Sequence, residues 1–175
     1  MRQKTIFIDM DDTIADFIGA ATVNGVFDYL RMYEPGFFFK LKPIDGSLVA
    51  VRQLIGLGYD VQILSQPVAD SPCSYTEKVQ WIGVHFPELI YKINLTQNKG
   101  QFVGDYLIDD NPTKWKYKFE ANGGKFIYFM YNPGTHTQIS NREGWERIVN
   151  FFKEEVKRGK EEESDESEEE RDSNE

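Results

Sequence analysis

One cysteine, Cys73, and two histidines, His85 and His136, are all that this 175-residue chain has for thiol chemistry or imidazole ligation. A lone cysteine makes no internal disulfide, which fits a reducing compartment, and with so few histidines nearby Cys73 reads as an ordinary thiol. No run of about 18 apolar residues occurs, and Met1-Arg2-Gln3-Lys4 leads directly into a strand pattern rather than a signal-like segment. We therefore expect a soluble, cytoplasmic protein with no membrane partner. Asn94-Leu95-Thr96 fits a glycosylation acceptor, a chance match in that setting. A basic excess is also missing. The formal charge is −9, yet from Lys160 to Glu175 there are ten acids and two bases, so the rest of the 29 acids and 20 bases nearly balance. No broad nucleic-acid surface is expected from such a body. No internal repeat is visible.

What is present begins at Lys4. Thr5-Ile6-Phe7-Ile8 is β-branched and aromatic, too short for a helix, and runs into Asp9-Met10-Asp11-Asp12-Thr13. This reads as a buried strand ending in three carboxylates. Carboxylates gathered there repel one another and lose hydration, so they persist where a cation, a cationic side chain or backbone amides compensate them.

Strand and helix patterns then alternate. Ile14 to Arg31 reads as one or two short helices, Asp45 as the cap of a helix to about Leu57, and Tyr59 to Leu64 as a second strand ending at Ser65. Ser74-Tyr75-Thr76-Glu77 has the form of a capping box opening a helix with Val79, Ile82 and Phe86 inward. Glu88 to Leu95 and Gly104 to Ile108 read as a third and a fourth strand, the latter closing on Asp109-Asp110. A helix over Thr113 to Ala121, a strand over Lys125 to Met130 and a helix opened by the capping box Ser140-Asn141-Arg142-Glu143 complete the pattern. The expected fold is α/β: a Rossmann-like, mainly parallel five-stranded sheet with helices on both faces and a small helical cap insertion at about 16–43. The folded domain should span 1–158, followed by a disordered acidic tail over 159–175, because that stretch has nothing apolar to bury.

In parallel sheets ligands bind beyond the carboxyl ends of the strands. Asp9, Asp11, Ser65, Lys99, Asp109 and Asp110 all fall there. Hard carboxylate oxygens suit Mg²⁺, while a lysine and a hydroxyl suit phosphate oxygens. Asp9, closest to the strand, is the candidate nucleophile. Asp11, two residues on and facing the same side, is the candidate acid/base, and Asp12 is expected to cap the loop. A phosphatase for another small ester, such as a sugar phosphate, and a phosphate-binding protein without turnover remain alternatives. A signalling receiver domain does not fit, since neither middle strand ends in an aspartate.

Asp9-Met10-Asp11-Asp12-Thr13, with Ser65, Lys99 and Asp109-Asp110, resembles the four motifs of the haloacid dehalogenase superfamily of phosphohydrolases. Asp9 to Phe17, Pro35 to Phe38, Pro43 to Leu54 and Leu95 to Asp110 are similar, more narrowly, to the cytosolic and mitochondrial 5′(3′)-deoxyribonucleotidases. The resemblance implies a Mg²⁺-dependent phosphomonoesterase acting on nucleoside monophosphates through an aspartyl phosphate. Asp9, Asp11 (through its carbonyl) and Asp110 would be the metal ligands, beside Asp109. Ser65 and Lys99 would hold the phosphate, and Phe17 and Tyr33 would contact the substrate. A homodimer is compatible with it. Ser65-Gln66 departs from the family's Thr-Ser, and the insertion before Pro35 is shorter than in the animal enzymes.

Overall fold

A computed structural model describes residues 2–134 and 139–172, with side chains described to Glu161. His136 lies outside the described residues. Five strands, β1 (Thr5–Ile8), β4 (Asp60–Ser65), β5 (Ile93–Leu95), β6 (Tyr106–Asp109) and β7 (Lys125–Tyr128), form one sheet in the order β5-β4-β1-β6-β7. Every pairing in it is parallel, with Ile8 opposite Ile63 on one side and Ile108 on the other. β1 is central, so its apolar side chains are covered from both faces, as parallel strands require.

Alternation along the strands sorts the two cores. Ile6, Ile8, Val61, Ile63 and Ile108 point into the larger one, filled by α2 (Ser47–Gly56), α3 (Pro72–His85) and α5 (Asn141–Asp172) through Val51, Leu54, Trp81, Ile82, Trp145 and Phe152. Phe7, Leu107 and Phe126 point the other way, against Trp115 and Phe119 of α4 (Pro112–Glu120). The turn into β7 demands glycine: a Cβ on Gly124 would lie 2.2 Å from the Phe119 ring and 2.7 Å from the Gly104 carbonyl oxygen.

Several local expectations change. The segment 16–43, expected as a helical cap, holds α1 (Phe17–Ala21) and short 3₁₀ turns at Tyr29–Tyr33 and Phe38–Lys40, but also a hairpin of β2 (Thr22–Val23) and β3 (Val26–Phe27). Asn24-Gly25, both at positive φ, is the tight turn between them, a dipeptide that favours such hairpins. Asp45 does not cap α2. Gly46 takes that position at φ 87, and Asp45 turns out to a bidentate pair with Arg142 at 2.7 and 3.0 Å. Ser74 and Glu77 form no capping box, because α3 starts earlier, at Pro72. Glu77 instead reaches the cap segment, its carboxylate accepting from the Gly36 and Phe38 N–H groups at 2.6 and 3.0 Å. The box before α5 does form: the Glu143 carboxylate accepts from the Ser140 N–H, and the Glu143 N–H donates to the Ser140 hydroxyl.

Over 159–175 the expectation is a disordered acidic tail. α5 continues to Asp172. Glu, Lys and Arg dominate the end of this helix and are good helix formers, and a helix already nucleated by a buried face extends through them.

Candidate active site

The site forms where β1 and β6 end side by side. The ladder runs one residue past β1, the Asp9 N–H donating to the Ile108 carbonyl at 2.9 Å, so the Asp9 backbone is held as firmly as the strand. The chain then folds back tightly, with the Ile14 and Ala15 N–H groups both donating to the Met10 carbonyl and the Asp12 N–H to that of Ala15. Asp12 adopts φ 52, and its carboxylate accepts from the Ile18 N–H at 2.8 Å. The N-cap of α1 is Asp16, whose carboxylate accepts from the Gly19 N–H at 2.9 Å, so Asp12 satisfies a second first-turn N–H of that helix.

Lys99 is the centre of charge. Its 3₁₀ turn, Lys99–Gln101, carries the ammonium into the interior at 1 % exposure, 2.6 Å from an Asp9 oxygen and 2.6 Å from an Asp109 oxygen. Burial alone would lower its pKa, but the two carboxylates more than reverse that and raise it, so the ammonium stays charged. Asp109 also accepts from the Asn111 N–H at 2.8 Å. Burial and the Asp9 charge push Asp109 up to about 6 despite Lys99. Asp110, half-buried and desolvated beside Asp9, Asp109 and Asp12 with Lys99 too weak a counterweight, is pushed to about 8. Asp12 rises to about 7, mainly through burial.

Oxygens of Asp9, Asp109 and Asp110 lie within 4.8 Å of one another, a spacing one cation can span. Asp11 takes no part in that cluster. Its carboxylate is gripped by Lys78, Nζ to Oδ2 at 2.6 Å, and Oδ1 is buried with no hydrogen-bond partner among the described residues. Burial raises its pKa against the pull of Lys78.

Lys78 is the functional residue that sequence reasoning missed. Fully buried on α3, it bonds Asp11 and the Ser65 hydroxyl, at 3.0 Å, and sits 4.7 Å from the centre of the Phe38 ring. A signal was available: Ser74, Lys78, Trp81 and Ile82 follow one helical stripe, and all are buried, whereas Val79, expected inward, is 37 % exposed.

A pocket of about 300 Å³ opens over these groups, lined by Asp9, Asp11, Asp12, Asp110 and Lys99 on its floor and by Phe17, Gln66, Asn111, Lys114 and Trp115 around it. Phe17 lines the pocket, stacked on Phe38 at 6.0 Å and edge-on to Phe37 at 5.5 Å. Ser65 is fully buried under Lys78 and does not line the pocket; Gln66 does. Tyr33 is also outside the lining, 41 % exposed in the cap. A second hollow of about 240 Å³, beside Arg2, Lys4, Tyr59 and Lys160, contains none of the site acids.

Residues 21–156 match the family model described as 5′ nucleotidase, deoxy (pyrimidine), cytosolic type C protein. The chain belongs to this family. A Staphylococcus epidermidis protein named as a 5′(3′)-deoxyribonucleotidase is 30 % identical over 183 residues, covering 87 % of this chain and 97 % of that protein. The human cytosolic-type 5′(3′)-deoxyribonucleotidase is 40 % identical over 85 residues, which cover 47 % of this chain and 42 % of the human one. Among solved structures, a haloacid dehalogenase-type hydrolase of Bacillus subtilis, bound to magnesium, superposes with TM-score 0.58 at 15 % identity, covering 87 % of this chain and 99 % of that one. A haloacid dehalogenase-like hydrolase of Xanthomonas campestris does so with TM-score 0.53 at 14 % identity, over 89 % and 98 % of the two chains. These two show the fold. This member of the nucleotidase family is thus a phosphoric monoester hydrolase, and the family as a whole acts on small nucleotides.

Proposed function

We propose that the protein is a Mg²⁺-dependent phosphatase of (deoxy)nucleoside monophosphates that works through an aspartyl phosphate on Asp9. The observation that carries this reading is the buried Lys99 ammonium between Asp9 and Asp109, beside Asp110, on the floor of an open pocket. The donor set fits a hard divalent cation. Asp9 and Asp110 offer carboxylate oxygens, Asp109 is already shared with Lys99, and Asp11, its carboxylate turned to Lys78, is left with its main-chain carbonyl. When bound, the cation supplies positive charge that lowers the repulsion between Asp9 and a phosphate dianion. The magnesium in the Bacillus subtilis structure supports that choice.

Asp9 attacks phosphorus while Lys99 holds its carboxylate in place and offsets its charge. As the ester P–O bond breaks, a proton passes from Asp11 to the leaving alkoxide. Water then attacks phosphorus, its proton goes to Asp11, and the bond to Asp9 breaks to release phosphate. Lys78 fixes the Asp11 carboxylate through Oδ2 and leaves Oδ1 without a hydrogen-bond partner among the described residues, so the group is not tied up on both oxygens. The aromatic wall of Phe17, backed by Phe37 and Phe38, receives the nucleoside. A cytoplasmic location follows from this substrate class and from the cytosolic type of the human relative.

Purified enzyme incubated with Mg²⁺ and a panel of 5′- and 3′-nucleoside monophosphates is expected to release phosphate, with chelator abolishing it. Preference for a non-nucleotide ester would overturn the substrate assignment.

A further inference from the structure

Lys114 lines the pocket but belongs to none of the motifs discussed so far. The other two site lysines are already committed: Lys99 to Asp9 and Asp109, Lys78 to Asp11. Lys114 has no carboxylate partner among the described residues. Its ammonium donates to the neutral Gln66 side-chain oxygen at 2.5 Å and lies 4.9 Å from the centre of the Trp115 ring. Gln66 is itself held, its amide donating to Gln97 at 2.9 Å, and Gln97 donates onward to the Pro67 carbonyl. The chain Gln97–Gln66–Lys114 therefore keeps an unspent positive charge at the mouth of a pocket whose floor is acidic.

We propose that Lys114 is a further substrate-binding residue that grips the phosphate of the incoming ester, and that Gln66 is the residue that positions it. This rests on the phosphomonoesterase reading above. It also gives Gln66 a role of its own, that of holding the lysine in place. Glutamine suits that task because it binds the ammonium without neutralising it, whereas a carboxylate there would spend its charge.

The test titrates inorganic phosphate into full-length enzyme with Mg²⁺ by calorimetry, in parallel with kcat and KM for a nucleoside monophosphate. Lys114→Gln is expected to weaken phosphate binding about tenfold, the weight of one charge-assisted hydrogen bond, and to raise KM with kcat little changed. Lys114→Arg should restore most of the affinity. Gln66→Glu should weaken phosphate binding as Lys114→Gln does, because the new carboxylate pairs with Lys114. Lys118→Gln, which alters a lysine on the same indole at 5.3 Å but outside the pocket, should leave affinity within about twofold. Unchanged affinity in Lys114→Gln, equal loss in Lys118→Gln, or a wild type that binds no phosphate would overturn the proposal. A wild type that binds phosphate in this Lys114-dependent way but cleaves no nucleotide would instead sink the functional reading alone.

Discussion

Glu77→Gln exchanges one oxygen for an amino group at the joint between α3 and the cap. In the native protein the two carboxylate oxygens accept from the Gly36 and Phe38 N–H groups at 2.6 and 3.0 Å, in a side chain 8 % exposed. Each such bond to a charged acceptor is worth about 1.5–3 kcal/mol. The amide can satisfy one N–H with its oxygen but turns a donor toward the other, leaving a buried main-chain donor unpaired. Losing one charge-assisted bond and weakening the second, with some relaxation, gives about 2–4 kcal/mol of destabilisation. At about 2–4 °C per kcal/mol for a domain of this size, Tm should fall by about 5–15 °C. Denaturant unfolding followed by the fluorescence of Trp81, Trp115 and Trp145, all buried, reads this directly, an unchanged slope assigning the shift in midpoint to stability. Since Phe37 and Phe38 back Phe17, KM for nucleotide should also rise. A loss below about 1 kcal/mol would refute the view that this carboxylate ties the cap to the domain.

Lys78→Met should lower kcat by about 10²-fold, because Asp11 loses the group that orients its proton-carrying carboxylate; steady-state kinetics on nucleotide shows this, and an unchanged kcat would remove Lys78 from the mechanism. Lys99→Met should cost about 3–5 kcal/mol of stability, as it leaves two buried carboxylates unpaired, and should weaken phosphate binding and turnover together. Asp60, whose pKa is lowered by hydrogen bonds from Lys92 and Gln62, contributes stability above the ordinary carboxylate value that is lost as pH falls through its lower folded pKa. Asp60→Asn should therefore cost less than about 1 kcal/mol at pH 7, the pair being partly exposed, and in an acid denaturation series the difference from wild type should shrink progressively once pH falls below the ordinary carboxylate value. Deleting residues 162–175 should leave the denaturation midpoint unchanged, because among the described residues the last apolar side chain of α5 packed on the core is Val156.

The central strand and its acids were legible because their chemistry is local: an apolar run too short for a helix, ending in carboxylates, has few other places to go. Asp109 and Lys99 could be assigned to the same edge from strand order alone, and the structure joins them at 2.6 Å. Lys78 was not legible in the same way, since a lysine on a helix normally faces water, and only the stripe it shares with Trp81 and Ile82 betrays its burial. Asn24-Gly25 carried a hairpin signal that reads equally as a break in a helix until the flanking residues are seen to pair. Ser74 and Glu77 had capping-box spacing, but Pro72 begins the helix two residues before Ser74 and frees Glu77 for a partner more than thirty residues away in sequence. Long-range partners of this kind are set by tertiary packing, which spacing does not encode.

The central claim is that Asp9 becomes covalently phosphorylated. Enzyme mixed with Mg²⁺ and excess nucleoside monophosphate, quenched in acid during turnover and reduced with borohydride, should yield homoserine at position 9 on peptide mapping, and Asp9→Asn should yield none and release no phosphate. Unmodified Asp9 during rapid turnover, with the label on another residue or nowhere, would contradict the account.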